Sequence, residues 1–302
     1  MQIYHYCSLE TLNAILKHKT LRLTNILNSN DSAEIAWITR YLDAAFAKYY
    51  NNSSEHFRTY ISPITFEGFV RLFTDEFFND RYSVYRFYVT CFSDSGDVLS
   101  QWRGYADDGK GVSIGFDADM LKKICSVKTP EGRKQVTLHH ISYSEESQRK
   151  KVDKIIASLF NHLEKLLAPV TCEQDALECN DEFLDAFENA FLTLFQNSVY
   201  MKNPFFYEER EIRMCYFVLK NQMAKENLPL AFDTRLFNFA YYVKDNQLVS
   251  YVDFDFSSCI DRIIKELVIG PKCITTIESM DYYLKTFGIT DCKIRKSAGT
   301  YR

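Results

Sequence analysis

From residue 145 to 201 apolar residues recur at helical spacing, whereas the chain on either side alternates with a period of two, and this switch most constrains the fold. Ile155, Leu159, Leu163 and Leu166 mark one helix over 145–168. Phe183, Phe187, Phe191 and Leu194 mark a second over 180–201. Together they read as a long α-hairpin inserted at about 144–202 between strands. Strand patterns precede it at 2–6, 21–24, 85–92, 111–116 and 136–143, and resume at 211–217. A hairpin over 239–256 turns at Asp245-Asn246, and strands at 261–269 and 291–296 follow. Ser8 is placed to cap a first helix with Leu9, Leu12, Ile15 and Leu16 on one face. Further helices are expected over 34–50, 66–80 and 276–287, with a short one carrying Leu99, Trp102 and Tyr105. Strands and helices follow one another without βαβ regularity, which points to an α+β fold with a mixed, mainly antiparallel sheet. No linker or repeat interrupts residues 1–302, so a single domain is expected.

The net charge of −4 gives no general electrostatic reason to bind nucleic acid. No apolar run reaches the roughly 18–20 residues of a membrane span, so no membrane partner and a cytoplasmic location are expected. Nine cysteines without a CxxC pair read as reduced thiols rather than a zinc site or disulfide set.

Four segments could carry chemistry. In Glu209-Arg210-Glu211-Ile212-Arg213, strand alternation would put Glu209, Glu211 and Arg213 on one face, with Lys202 and Arg213 as nearby cations. A solvated strand end with an ion pair is the plainer reading. His5, between Tyr4 and Tyr6, would face opposite to both and is equally a structural histidine. Gln101, Trp102 and Tyr105 could form an aromatic shelf with one amide beyond Cys91-Phe92-Ser93, or Trp102 could be core. Asp31 and Glu34 close a polar loop, where Asp31 reads as a helix cap. A metal-dependent hydrolase would gather Asp31, Glu34, Asp97, Glu209 and Glu211 around magnesium. No phosphate-binding glycine loop is present, and His139-His140 reads as structural.

Several of these segments together resemble a bacterial family called domain of unknown function 2971. The resemblance runs through Tyr4-His5-Tyr6-Cys7-Ser8, Asn30-Asp31 with Glu34, Cys91-Phe92-Ser93, Gln101-Trp102, Tyr105-Ala106-Asp107 and Gly111 to Phe116. It continues through Lys202, Tyr207, Glu209 to Arg213, Ile269-Gly270-Pro271, Ser297 and Tyr301-Arg302. The order of parts is also remotely similar to ADP-ribosyltransferases, many of which carry Glu-x-Glu on a late strand. That similarity implies NAD as substrate, with Glu211, His5 and Glu209 catalytic. Glu211 would hold the ribose and Glu209 orient the acceptor. It implies binding roles for Tyr6, Ser8, Arg22, Ser93, Gln101, Trp102, Tyr105, Lys202 and Arg213. The chain would then be a toxin or phage-defence effector acting on a protein or nucleic-acid acceptor, with an antitoxin or a second copy as partner. The long helical insertion and the lack of a Ser-Thr-Ser run depart from better-known transferases. Two other classes stay open: a non-catalytic module that recognises a nucleotide or protein, and the metal-dependent hydrolase.

Overall fold

The computed structural model describes residues 1–28, 35–64, 66–68, 70–71, 85–125, 136–172, 174–175, 179–219 and 237–301. They form two compact units, one from Met1–Asn30, Val84–Ile141 and Phe205–Arg302, the other from Asp31–Ser83 and Ser142–Pro204.

The first unit holds a ten-stranded open sheet. Its strands are β1 (Gln2–Cys7), β2 (Thr20–Asn25), β3 (Tyr85–Ser93), β4 (Val112–Asp117), β5 (Val136–His140), β6 (Glu211–Leu219), β7 (Phe237–Lys244), β8 (Gln247–Asp255), β9 (Ile264–Ile269) and β10 (Lys293–Lys296). The main path runs β10-β9-β4-β1-β3-β2-β8-β7, and β6 pairs with β3 and with β5. Only β9 with β10 is parallel among the described pairs, so the sheet is mixed and mainly antiparallel, as the sequence suggested.

Local chemistry sets the elements. Helix α1 (Leu9–His18) starts where the Ser8 side chain accepts the Thr11 amide at 3.1 Å, and buries Leu12, Ile15 and Leu16. Each such aliphatic side chain contributes roughly 1.5–3 kcal/mol on burial. The β7–β8 hairpin turns through Asp245 and Asn246, both at positive φ (49° and 62°), the geometry of a two-residue turn that matches strand twist. Asp261 to Ile263 departs from the expected strand: α8 (Ile260–Ile263) is one helical turn, and the strand starts at Ile264.

Alternation divides the sheet into two faces. Ile3 and Cys7, Leu21 and Leu23, Tyr88 and Phe92, Val112, Ile114 and Phe116, Ile212, Met214 and Tyr216, and Val252 and Phe254 all belong to one core. On that side also lie α1, α5 (Ala118–Ile124) and α9 (Ile277–Lys285), contributing Leu121, Met280 and Leu284. The intervening residues project to the second face. There Tyr6, Trp102, Ala106 and Val268 make a smaller cluster under α4 (Leu99–Tyr105).

The second unit is helical. It contains α2 (Leu42–Asn51), α3 (Glu55–Tyr60), α6 (Glu145–Leu167) and α7 (Asn180–Ser198). The expected α-hairpin is α6 with α7, packed within this unit against α2, α3 and a 3₁₀ segment over Ile35–Tyr41. That segment replaces the first turns of the helix expected from 34. Phe46, Tyr50, Phe57, Phe66 and Phe160 join in edge and stacked contacts. Gln148, fully buried, accepts from Trp37 and Tyr41 and donates to the carbonyls of Ser142 and Lys202. Asp31, Glu34 and most of the helix expected over 66–80 lie outside the described residues.

Candidate functional site

The site candidate is a cross-strand row on the second face. On β1, Tyr4 pairs with Ser93 of β3, and Ser93 pairs with Glu211 of β6. Tyr4 and Tyr6 alternate with the core residues Ile3 and Cys7, Ser93 with Phe92, and Glu211 with Ile212, so Tyr4, Ser93 and Glu211 leave from one face. Ser93 is fully buried and Glu211 only 5% exposed. Arg213, two residues along β6 and 1% exposed, donates from Nε and Nη2 to Glu211 Oε1 at 2.8 and 2.7 Å. Two N–H groups on one carboxylate oxygen form a charge-assisted pair that fixes the acid in place.

Beside this row, β2 pairs with β3 at Thr24–Val89 and Asn25–Tyr88, and β1 at Tyr4–Ser93. Between these pairs, at Thr90 to Phe92, the His5 ring of β1 meets the Cys91 carbonyl at 3.0 Å. Cys91 is exposed and pairs with Arg213 across β3 and β6.

His5 does not reach this row. It shares the core face with Ile3 and Cys7, packs edge-on against Phe92 at 5.9 Å, and bonds through Nδ1 to the Cys91 carbonyl at 3.0 Å. Burial holds its imidazole below the usual value, against the opposing effect of that carbonyl. The sequence correctly turned His5 away from Tyr4 and Tyr6, but register places Glu211 with the tyrosines, so His5 and Glu211 do not share a cleft.

Glu209 is also not in line with Glu211. It closes a 3₁₀ turn (Pro204–Glu209), Arg210 follows at φ 45°, and the strand begins only at Glu211. The left-handed residue breaks the alternation that would have aligned the two acids. Instead Glu209 Oε1 accepts from the Tyr105 hydroxyl at 3.2 Å. The Asp94 amide bonds the Arg210 carbonyl at 3.1 Å, tying this turn to the loop after β3.

Trp102 is core rather than shelf. It is 1% exposed, packs on Tyr6 at 4.8 Å, and donates its indole N–H to Asp97 Oδ1 at 2.7 Å. Gln101 is buried beside it, while Tyr105 is exposed. The Tyr6 hydroxyl is committed to the Ser95 carbonyl and the Val98 amide, and the Ser8 hydroxyl to its helix cap. Lys202 is buried and belongs to the helical unit, where its main chain bonds Ser142 and Gln148. Arg22 is on the second face, stacked over Tyr251.

Sequence reasoning missed a polar network at the other end of the row. Tyr4 Oη donates to Glu266 Oε2 at 2.6 Å, and Arg295 Nε to Glu266 Oε1 at 3.0 Å. Burial, with the bond to Glu266, pushes the Tyr4 phenol up to about 12. Burial works to raise the Glu266 and Asp97 carboxyls, but donors outweigh it and hold both below their usual range. For Glu266 these are Tyr4 and Arg295; for Asp97 they are Ser297, Trp102 and the Ala298 amide. No local pattern could signal this, because its members lie up to 262 residues apart.

Among the described residues no group of three His, Cys, Asp or Glu is placed to hold a metal, and no helix is long and apolar enough to cross a membrane. Neither a curated protein nor a solved structure matches the chain. One family does match, over residues 101–214, a span that runs from Gln101 through Glu211 and Arg213. That family is described as Protein of unknown function (DUF2971), and the match over this part of the chain supports the resemblance read from the sequence.

Proposed function

We propose that the chain cleaves NAD and transfers its ADP-ribose, with Glu211 as the acid that stabilises the developing charge. One observation carries this reading: the early, middle and late polar motifs converge as the adjacent residues Tyr4, Ser93 and Glu211 on one face. The C1′–nitrogen bond breaks, its electron pair leaves with nicotinamide, and a new bond forms from C1′ to an acceptor nucleophile that gives up its proton. The ribose passes through an oxocarbenium-like state, and a fixed carboxylate in a drier site offsets its charge. Arg213 orients Glu211, Ser93 lies beside it, and Tyr4 takes the first-strand place that His5 leaves empty.

Glu209, held by Tyr105, sits on a turn that also exposes Phe205 and Tyr207, and this turn would meet the acceptor. The acceptor is a protein or nucleic acid in this reading. A toxin or defence role, with an antitoxin or a second copy as partner, rests on resemblance alone. None of the nine cysteines forms a disulfide, which suits the cytoplasm, where NAD is at hand.

A binding-only module has one observation in its favour: Ser93 and Glu211 are buried, so substrate must displace whatever covers them. Nicotinamide release from NAD by the purified chain, with cell lysate as acceptor source, separates the two. Release is expected from the wild type and not from Glu211→Gln. Absence of release together with absence of NAD binding by calorimetry would favour the binding-only module with another ligand.

A further inference from the structure

On the same sheet face as Glu211, strands β2, β7 and β8 carry a cluster that the proposed chemistry does not use. Arg22 alternates with Leu21 and Leu23, and Tyr251 and Asp253 alternate with Val252 and Phe254, so all three point away from the main core. The Arg22 guanidinium lies 3.8 Å from the Tyr251 ring centroid and 5.7 Å from that of Tyr242. Its Nε faces Asp253 Oδ1 at 3.4 Å, and its side chain is 49% exposed. A guanidinium stacked on tyrosine and steered by a carboxylate is a flat, oriented cation, and this one is half exposed. Such a surface accepts a planar, electron-rich ring.

Its position matters as much as its chemistry. Thr24 pairs with Val89, and Val89 with Cys215, so Arg22 falls level with Cys91 and Arg213, two strands from β6. Strand spacing and rise put Arg22 on the order of 12 Å from Glu211. Between them, on β3, lies exposed Cys91. A dinucleotide with its ribose at Glu211 would cross β3 at Cys91 and bring its far end to Arg22.

We propose that Arg22, stacked on Tyr251 beside Tyr242, is the platform for the adenine ring of an adenine nucleotide. This rests on the NAD reading for its place in the reaction, but it predicts binding that does not depend on catalysis.

The test is calorimetric titration of the purified chain with AMP, with adenosine and with inorganic pyrophosphate. AMP is expected to bind the wild type and Glu211→Gln alike. Arg22→Ala and Tyr251→Ala are each expected to weaken AMP about tenfold, the range of one lost stacking contact. Arg22→Lys, which keeps charge but loses the flat stack, is expected to weaken it as well. Circular dichroism on each variant confirms folding, and Tyr242→Leu supplies a second probe if Tyr251→Ala does not fold. AMP binding that is absent, that survives Arg22→Ala unchanged, or that pyrophosphate alone reproduces would overturn the platform. If AMP binds through Arg22 while no nicotinamide is released from NAD, the platform stands and the transferase reading falls.

Discussion

Arg213 Nη2 lies 2.7 Å from Glu211 Oε1, two residues back on the same strand, and both side chains are buried. Burying both charges costs each its hydration, which their mutual attraction and hydrogen bonds must offset. This pair also sets the orientation of the acid at the centre of the proposed chemistry.

Removing one partner leaves the other charge buried and unmatched. Arg213→Met is therefore expected to cost about 3–5 kcal/mol of stability. Glu211→Gln keeps an acceptor for Arg213 and should cost less. Urea unfolding of both variants and of the double variant checks this, since the cycle isolates the coupling between the two. Additive losses would mean that the pair is not coupled.

Acid stability should report His5. Its folded pKa lies below the unfolded value of 6.5 because burial disfavours the imidazolium. Above that value both states are neutral and the contribution is fully present. As pH falls below it, the unfolded chain takes up a proton that the folded chain resists, so stability declines. His5→Gln should flatten this limb in thermal melts taken downward from about pH 6.5. An unchanged limb would place the acid sensitivity elsewhere.

Asp97 fastens distant chain to the site. Its Oδ1 accepts from Trp102 and Ser297, at 2.7 and 2.5 Å, and its Oδ2 from the Ala298 amide at 2.7 Å. Asp97→Ala strands the buried indole N–H and should cost about 1–3 kcal/mol. Ser297→Ala leaves that N–H satisfied and should cost about 1 kcal/mol. Hydrogen exchange over residues 293–301 should quicken in both variants, and protection equal to wild type would show that Asp97 does not hold the segment.

Much of this architecture was legible locally. Ile3 and Cys7 alternate with Tyr4 and Tyr6, Ser8 precedes an amphipathic run, and Asp245-Asn246 marks a hairpin. Each of these needs only neighbours in sequence. The site was legible in its residue types but not in its assembly. Glu209 looked aligned with Glu211 because alternation was extended through Arg210, whose left-handed backbone no pattern announced. Trp102 read as either a shelf or core, and Tyr6 and Val268, from other strands, decide for core. His5 pointed away from its tyrosines as expected, yet only the pairing of β3 with β6 decides which face Glu211 joins. Contacts such as Tyr4 with Glu266 and Asp97 with Ser297 arise from register and have no local signature.

In the proposed chemistry the Tyr4–Ser93–Glu211 face, and not the His5 face, acts on NAD. Nicotinamide release measured in parallel for the wild type, Glu211→Gln, Ser93→Ala and His5→Gln tests it most directly. Release is expected from the wild type, with loss in Glu211→Gln, at least a tenfold drop in Ser93→Ala (about 1.4 kcal/mol) and near wild-type release in folded His5→Gln. Release that survives Glu211→Gln, or that vanishes in a stably folded His5→Gln, would contradict it.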